Sequence, residues 1–136
     1  MAKNKESIYI DMTKLFGILY NAQVNMNKKD RNGIHSRVII HCENVISNYA
    51  MAFNLNKEED KMHYIDLMIG EFEILKFDCR FMIENCIIKS NDFRRDVQTL
   101  IATIEDGMHK WRNYLVDKYN KEVKNSALNE SSTSSV

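Results

Sequence analysis

The sequence predicts an all-α fold, an antiparallel up-down four-helix bundle, from three observations. Proline is absent and glycine occurs four times in 136 residues, so few positions interrupt a helix. Apolar residues recur at steps of three and four along most of the chain, which is the period of an amphipathic helix. The segments between these stretches are short, and amphipathic helices with short connections cover their apolar faces best when neighbours run antiparallel.

Four stretches carry this pattern. We expect Ser7 to cap the first helix, "NKKDRNG" to separate it from the second, and "KSND" to cap the fourth. Asn56, with Glu59 three residues later, has the spacing of a capping box before the third. The stripe positions are Ile8, Met12, Leu15, Phe16, Leu19, Gln23 and Met26, where the polar Gln23 is the one break, then Ile34, Val38, Cys42, Val45, Tyr49 and Phe53, then Ile65, Met68, Phe72, Leu75, Cys79, Met82 and Cys86, and finally Phe93, Val97, Leu100, Ile104, Met108, Trp111 and Leu115. We expect the apolar ones to be buried.

The apolar pattern ends near Tyr119, and the chain closes on "NSALNESSTSSV". We therefore expect one four-helix domain over residues 1–124 and a disordered polar tail over residues 125–136. No apolar run approaches the roughly 20 residues that span a bilayer, and "MAKNKES" lacks the apolar core of a signal peptide. Three cysteines without a close pair fit a reducing compartment. We expect a cytoplasmic protein with no membrane partner.

Catalytic and metal-binding motifs are not found in the sequence. It contains no glycine-rich phosphate loop and no nucleophile elbow, and its four histidines form no helical ligand pair. Cys79 and Cys86 share a predicted helix face but lack the close spacing of structural zinc ligands, so a packed core thiol is favoured. Glu105 and His109 in "EDGMH" lack the further carboxylates that a di-iron site needs. We expect no enzymatic activity, no cofactor and no metal.

Charge is unevenly distributed although the net charge is zero. Residues 1–54 carry seven basic and four acidic side chains, residues 55–106 seven and twelve, and residues 107–136 five and three. The exit of the first helix and the end of the fourth are the basic segments, and an up-down bundle puts them at opposite ends. Such surfaces suit phosphate backbones, but composition alone favours ordinary solvated helix ends equally.

Three motifs, in order along the chain, resemble the accessory variability determinant (Avd) proteins of diversity-generating retroelements. They are "RNGIHSR" at the start of the second helix, "LKFDCRFM" in the third and "LIATIEDGMHKW" in the fourth. The four-helix proteins encoded in ribosomal RNA intervening sequences share part of the pattern and are the nearest alternative. This chain has Glu105 and Lys110 where small residues are typical of the Avd family.

The resemblance implies a four-helix bundle assembled as a barrel-like homopentamer. It also implies a non-enzymatic accessory protein that binds the reverse transcriptase and its RNA and supports mutagenic retrohoming. The basic positions of the family's third-helix motif fall on Lys76 and Arg80, and those at the entry of the second helix fall on Arg31 and Arg37. We add the neighbouring Lys28 and Lys29 to the predicted partner-binding residues.

Lys76 and Arg80 lie four residues apart, so they share one face of the third helix. Long basic side chains at the margin of a core can lay their methylenes on apolar surface and extend the charge to a partner. The alternative is that both are surface charges paired with Glu73, Asp78 or Glu84 on the same helix.

Six aromatic residues fall outside the four predicted stripes. A monomer would expose many of them, which is more apolar surface than a small domain usually leaves in water. We therefore expect a ring-like homo-oligomer, most simply the pentamer that the resemblance implies. The six are Tyr9, Tyr20, Tyr64, Phe77, Phe81 and Tyr114.

Overall fold

The structure is a computed structural model that describes residues 2–134, with side chains described for residues 5–129. Four long helices make up most of this part of the chain: α1 (Ala2–Asn21), α2 (Ser36–Asn54), α3 (Glu58–Glu84) and α4 (Asn91–Ser134). No strand occurs within the described residues. The predicted all-helical class and the number of long helices are confirmed.

The helices pack in a square, each beside its neighbours in sequence, and α4 returns beside α1. Polar side-chain contacts show the antiparallel order of α3 and α4. Lys76 Nζ lies 2.6 Å from a Glu105 carboxylate oxygen, and the Glu58 carboxylate near the start of α3 reaches Lys118, 2.7 Å away. Consecutive helices therefore run up and down, and α1 and α3 occupy opposite corners.

The core is built by the predicted apolar stripes. Nearly all of the expected positions are buried, among them Phe72, Leu15 and Met108. Four expected positions differ: Phe16 and Leu100 are half-buried, and Phe53 and Cys86 are exposed. Gln23, the polar break, is half-buried.

Cys86 differs because α3 ends at Glu84, two residues before it. The backbone of Cys86 has a φ of 52°, in the left-handed region, so its side chain leaves the helix face that Cys79 occupies. The predicted shared face of the two cysteines is therefore wrong, and Cys79 is the one that fills the core.

Helix capping follows the sequence at one of three predicted sites. Ser90 Oγ accepts a hydrogen bond from the Phe93 amide at 3.2 Å at the start of α4, as "KSND" predicted. Ser7 is inside α1, which begins at Ala2. Asn56 is not the cap of α3, because the cap position is occupied by Lys57, which makes no capping side-chain bond.

The last helix continues beyond the bundle. Leu115 is the last buried residue among the described side chains, yet α4 runs to Ser134. The part of the expected tail that the structure describes is thus helical, and the division into a bundle over residues 1–124 and a tail over residues 125–136 stays a prediction. No glycine or proline follows Gly107, so the backbone can keep its helical hydrogen bonds without tertiary contacts. Residues 135 and 136 lie outside the described residues.

Most of the predicted extra-stripe aromatics are exposed. Tyr9, Tyr20, Phe77, Phe81 and Tyr114 all have substantial solvent exposure, whereas Tyr64 is half-buried against the core. Within the described chain, no helix combines the length and apolar character that crossing a membrane would require.

Candidate nucleic-acid interface

The basic segment between α1 and α2 is ordered by short helical turns. A 3₁₀ turn (Ala22–Asn25) ends at Met26, which is extended, and Asn27 then caps a new turn by accepting a hydrogen bond from the Asp30 amide at 2.8 Å. A π-helical turn, Arg31–His35, follows and runs directly into α2. This backbone holds the basic side chains on a defined surface.

Three buried side chains anchor this segment to the bundle. Met26 and Ile34 enter the core, and His35 is buried with its Nε2 2.8 Å from the Leu19 carbonyl oxygen. Since a carbonyl only accepts, Nε2 carries the proton in this contact. The histidine thereby fixes the end of α1 against the start of α2.

The four predicted basic residues of this corner are exposed. None of them makes an ion pair with another described side chain, so their charges are available to a partner. These residues are Lys28, Lys29, Arg31 and Arg37.

Lys76 is placed differently from these four. Its ammonium group lies 2.6 Å from Glu105 on α4 and 3.1 Å from Glu73 on its own helix. The hydrogen bond to Glu105 raises the pKa of Lys76, and the bond to Glu73 adds to the shift. Lys76 therefore joins α3 to α4, and Glu105 supplies the partner.

Arg80 is exposed one turn further along α3 and makes no ion pair within the described residues. The carboxyl of Asp78 faces into the protein and is not its partner. Of the two predicted α3 residues, Arg80 has the available charge. Same-helix pairing, the alternative, holds for Lys76 with Glu73 only.

Lys76 and Arg80 do lie together on a cleft between α3 and α4. The cleft has a volume of about 390 Å³, and its floor is apolar, with Ile83 and Ile101 beneath the polar rim. Glu84, Gln98 and Glu105 line the rest of the rim. A mixed rim over an apolar floor is typical of a surface that binds protein.

The corner and Arg80 belong to one end of the bundle. The end of α1, the start of α2, the end of α3 and the start of α4 meet there. We call this the basic end, residues 22–37 and 80–96. It carries eight Lys or Arg side chains and four Asp or Glu, an excess of four positive charges in a chain of zero net charge.

Comparison with known proteins finds no matching family model and no matching curated protein.

Lys89, Arg94 and Arg95 of the basic end were not predicted as site residues. Their signal in the sequence is the basic pair that follows the cap in "KSNDFRRD". Arg95 is paired with Asp92 and Asp96, each at 3.3 Å. Arg94 is half-buried, and its Nε has no hydrogen-bond partner among the described atoms.

One further polar cluster lies between α2 and α3. His41 Nδ1 is 2.7 Å from a Glu71 carboxylate oxygen, to which Asn44 also donates at 3.4 Å, linking α2 to α3. His109 is exposed. Among the described residues, no group of three histidine, cysteine or acidic side chains is arranged to hold a metal ion.

Proposed function

We propose that the chain is a non-enzymatic accessory protein of a diversity-generating retroelement. It binds the reverse transcriptase and the template RNA in the cytoplasm and supports mutagenic retrohoming as a homopentameric ring. The observation that carries this proposal is the basic end, where unpaired lysine and arginine side chains stand on an ordered surface. The three sequence motifs that resemble the Avd family supply the retroelement context.

The RNA part of the proposal rests on charge. Five exposed, unpaired basic side chains create positive potential at one end of the bundle, although the net charge of the chain is zero. They are Lys28, Lys29, Arg31, Arg37 and Arg80. Lysine and arginine on phosphates release condensed counterions, which supplies affinity without base recognition. A ring of five would bring five such ends to one side of the assembly, and that raises affinity through effective concentration.

The reverse-transcriptase part rests on the cleft between α3 and α4. Its apolar floor and mixed rim can receive a protein segment, and Arg80 can form a bidentate pair with a carboxylate of that partner. Lys76 would contribute only by exchanging Glu105 or Glu73 for a partner group.

The RNA experiment measures affinity against salt for wild type and for Arg31→Ala/Arg37→Ala/Arg80→Ala, with an RNA that carries the template repeat. Each lost phosphate contact should reduce the steepness of the log–log plot by about 0.7 for a single strand. Lys121→Ala/Lys124→Ala is the matched control, because both lysines are exposed at the other end of the bundle. Equal slopes for wild type and the triple variant would reject RNA binding by the basic end.

The second experiment is co-purification with the reverse transcriptase. Arg80→Ala should weaken capture more than Lys76→Ala, because Arg80 is unpaired whereas Lys76 is held by two carboxylates. Circular dichroism and light scattering should be unchanged for both variants, since neither residue is in the core. If Lys76→Ala/Arg80→Ala captured the reverse transcriptase as well as wild type, the cleft would not be its binding site.

A self-assembling bundle of the ribosomal RNA intervening-sequence type, with a structural role, is the alternative. The exposed apolar residues of α1 and α3 favour it, because they call for self-association without requiring RNA. Genomic position separates the two. A reverse transcriptase gene with a pair of near-identical repeats beside this gene supports the retroelement function, and a position within a ribosomal RNA gene supports the alternative.

A further inference from the structure

The outward face of α3 carries a second apolar stripe. Leu67, Gly70, Ile74, Phe77 and Phe81 follow one another at steps of three, four, three and four, which is the spacing of a coiled-coil seam. All five are exposed, and Phe77 has 67% of its surface in solvent. At 3.6 residues per turn this stripe lies on the side of α3 opposite its buried stripe.

The outward face of α1 and its 3₁₀ extension has the same spacing. Ile10, Thr13, Gly17, Tyr20 and Val24 follow at steps of three, four, three and four. Ile10 is 52%, Tyr20 50% and Val24 79% exposed. The two stripes have equal length, and each contains one glycine.

The other two helices present polar faces to solvent. On α2, Glu43 and Ser47 separate the exposed Ile40 from Met51. On α4, the exposed positions include Asp106 and Lys110, which pair with each other at 2.9 Å. Within the described bundle, the exposed apolar stripe of α3 is therefore continuous. That of α1 consists of Ile10, Tyr20 and Val24, with Thr13 and Gly17 between them beside the groove to α4. The two helices occupy opposite corners.

Near the basic end, contacts across the bundle put the two stripes at the same level. Leu19 of α1 contacts His35 of α2, and His41, six residues on, contacts Glu71 of α3. Because α2 and α3 are antiparallel, His35 is level with Phe77, six residues beyond Glu71. Leu19, and with it the next residue of the α1 stripe, is therefore level with Phe77.

The other end of the bundle agrees to within about one helical turn. Tyr9 contacts Tyr49, with ring centroids 6.0 Å apart, and the carbonyl of Ala52 accepts a hydrogen bond from Lys61. Tyr9 is thus level with the part of α3 just after Lys61, one turn before Leu67. The stripes start and end at matching heights.

We propose that the α1 stripe of one copy packs against the α3 stripe of the next, so that a second copy of this chain is the occupant of each face. Copies related by a rotation axis parallel to the helices are not displaced along that axis. Such a rotation can therefore bring together only surfaces that lie at the same level along the bundle. It also keeps α1 and α3 parallel. The layers then pair Ile10 with Leu67, Gly17 with Ile74, and Tyr20 with Phe77 of the neighbouring copy.

The contact is heterologous, since two different surfaces meet and each copy offers one of each. Heterologous contacts close into rings or extend as filaments. A two-fold dimer would leave one apolar stripe on each copy in water, because α1 and α3 stand at opposite corners and cannot both touch one partner. The inference rests on the self-association in the proposed function and specifies which faces produce it.

The test uses one blocked face at a time, with masses measured by light scattering at micromolar protein. Phe77→Glu puts a charge in the α3 stripe, and Ile10→Glu puts a charge in the α1 stripe. Each variant alone should therefore be a monomer. Their equimolar mixture should form a dimer and nothing larger, because one intact pair of faces is left. Ile40→Glu, an equally exposed isoleucine on α2, should keep the wild-type mass.

Each other outcome overturns the inference. Wild-type mass for Ile10→Glu, or a mixture that stays monomeric, would show that α1 does not meet α3. Wild-type mass for both single variants would reject these faces while leaving the proposed function's self-association intact. A monomeric wild type would reject that self-association as well. Circular dichroism verifies folding, and Leu67→Glu and Val24→Glu replace either variant that unfolds.

Discussion

At the scale of single residues, Asp78 has an unfavourable environment. Its side chain is 5% exposed, and Oδ2 has no hydrogen-bond partner among the described atoms. A buried charge without a partner is costly, and a buried neutral amide less so. We expect Asp78→Asn to raise the free energy of unfolding by about 1 kcal/mol in urea titration. A decrease of that size would show that the carboxylate has a partner, in the chain or in the assembly.

The cysteines should differ in reactivity by burial. Cys86 is exposed, whereas Cys42 and Cys79 are buried. Desolvation raises the pKa of Cys42 to about 12 and raises the pKa of Cys79 above its usual range. At pH 8 one thiol should react with a disulfide reagent in the native protein, and all three after unfolding. Rapid reaction of two or three native thiols would contradict the packing around Cys42 and Cys79.

The same two pKa shifts give the stability a pH dependence. Above about pH 9 these thiols ionise in the unfolded chain while they stay protonated in the folded one, so the unfolded state binds fewer protons. The free energy of unfolding should therefore fall as pH rises from 9 to 11 and be constant below this range as far as these groups contribute. Cys42→Ala/Cys79→Ala should lose that dependence, whatever its absolute stability.

Residue-level chemistry was only partly predictable from the sequence. The periodicity identified Cys42 and Cys79 as core positions because a helix repeats every 3.6 residues. It could not show that Lys76 bonds to Glu105, since that contact joins residues 29 positions apart and depends on the height at which α3 and α4 pack. For the same reason, Arg80 could not be distinguished from Lys76 as the unpaired cation.

At the scale of elements, the caps determine where the helices start. Ser90 should stabilise α4 because its hydroxyl satisfies the Phe93 amide, which otherwise has no intrahelical acceptor. Ser90→Ala should lower the free energy of unfolding by about 1 kcal/mol, measured by thermal or urea denaturation. Ser90→Asp keeps an acceptor and should retain most of the stability. Equal stability of Ser90→Ala and wild type would show that the cap contributes nothing.

The C-terminal part of α4 should be dispensable for the bundle. No residue after Leu115 is buried within the described side chains, and the last ion pair with α3 among them joins Lys118 to Glu58. A chain ending at Lys124 should keep the midpoint of thermal unfolding. A chain ending at Tyr114 loses Leu115 and the Lys118 pair and should melt earlier. A lower midpoint for the chain ending at Lys124 would show that residues 125–136 pack against the bundle or another copy.

Element types were easier to predict than element ends. A stripe of six or seven apolar positions over three or more turns outweighs local composition, so each helix was found from its periodicity. The end of a helix depends on single hydrogen bonds. The predicted cap of α3, Asn56, is therefore one residue away from the observed cap position, Lys57. The turns between α1 and α2 were predicted as an interruption because "NKKDRNG" has no stripe. These turns are ordered because the side chains of Met26, Ile34 and His35 are buried against the bundle.

At the scale of the whole molecule, apolar and basic side chains occupy different surfaces of the bundle. The core faces inward, the outward faces of α1 and α3 are apolar, and the excess positive charge gathers at the basic end. Docking α1 onto α3 around a ring leaves the ends of the bundles free. All the basic ends then point to the same side, because rotation about an axis parallel to the helices preserves direction. In the proposed ring, assembly and RNA binding would use separate surfaces and would be coupled through avidity.

This coupling leads to a prediction about a variant far from the basic end. Ile10→Glu, near the other end of α1, if monomeric, retains Arg31, Arg37 and the other unpaired basic side chains of the basic end. A monomer can contact only the phosphates that one basic end reaches, whereas a ring can hold one RNA with the basic ends of several copies. We expect the affinity for a long RNA to fall by about tenfold or more and the salt dependence to become shallower. Affinity for a short RNA that spans one basic end should be unchanged. Fluorescence anisotropy with RNAs of both lengths measures this, and Ile40→Glu is the control that should match wild type on both. Equal loss on the short and the long RNA would mean that Ile10 acts at the binding surface itself, and no loss on either would mean that the basic ends bind independently of assembly.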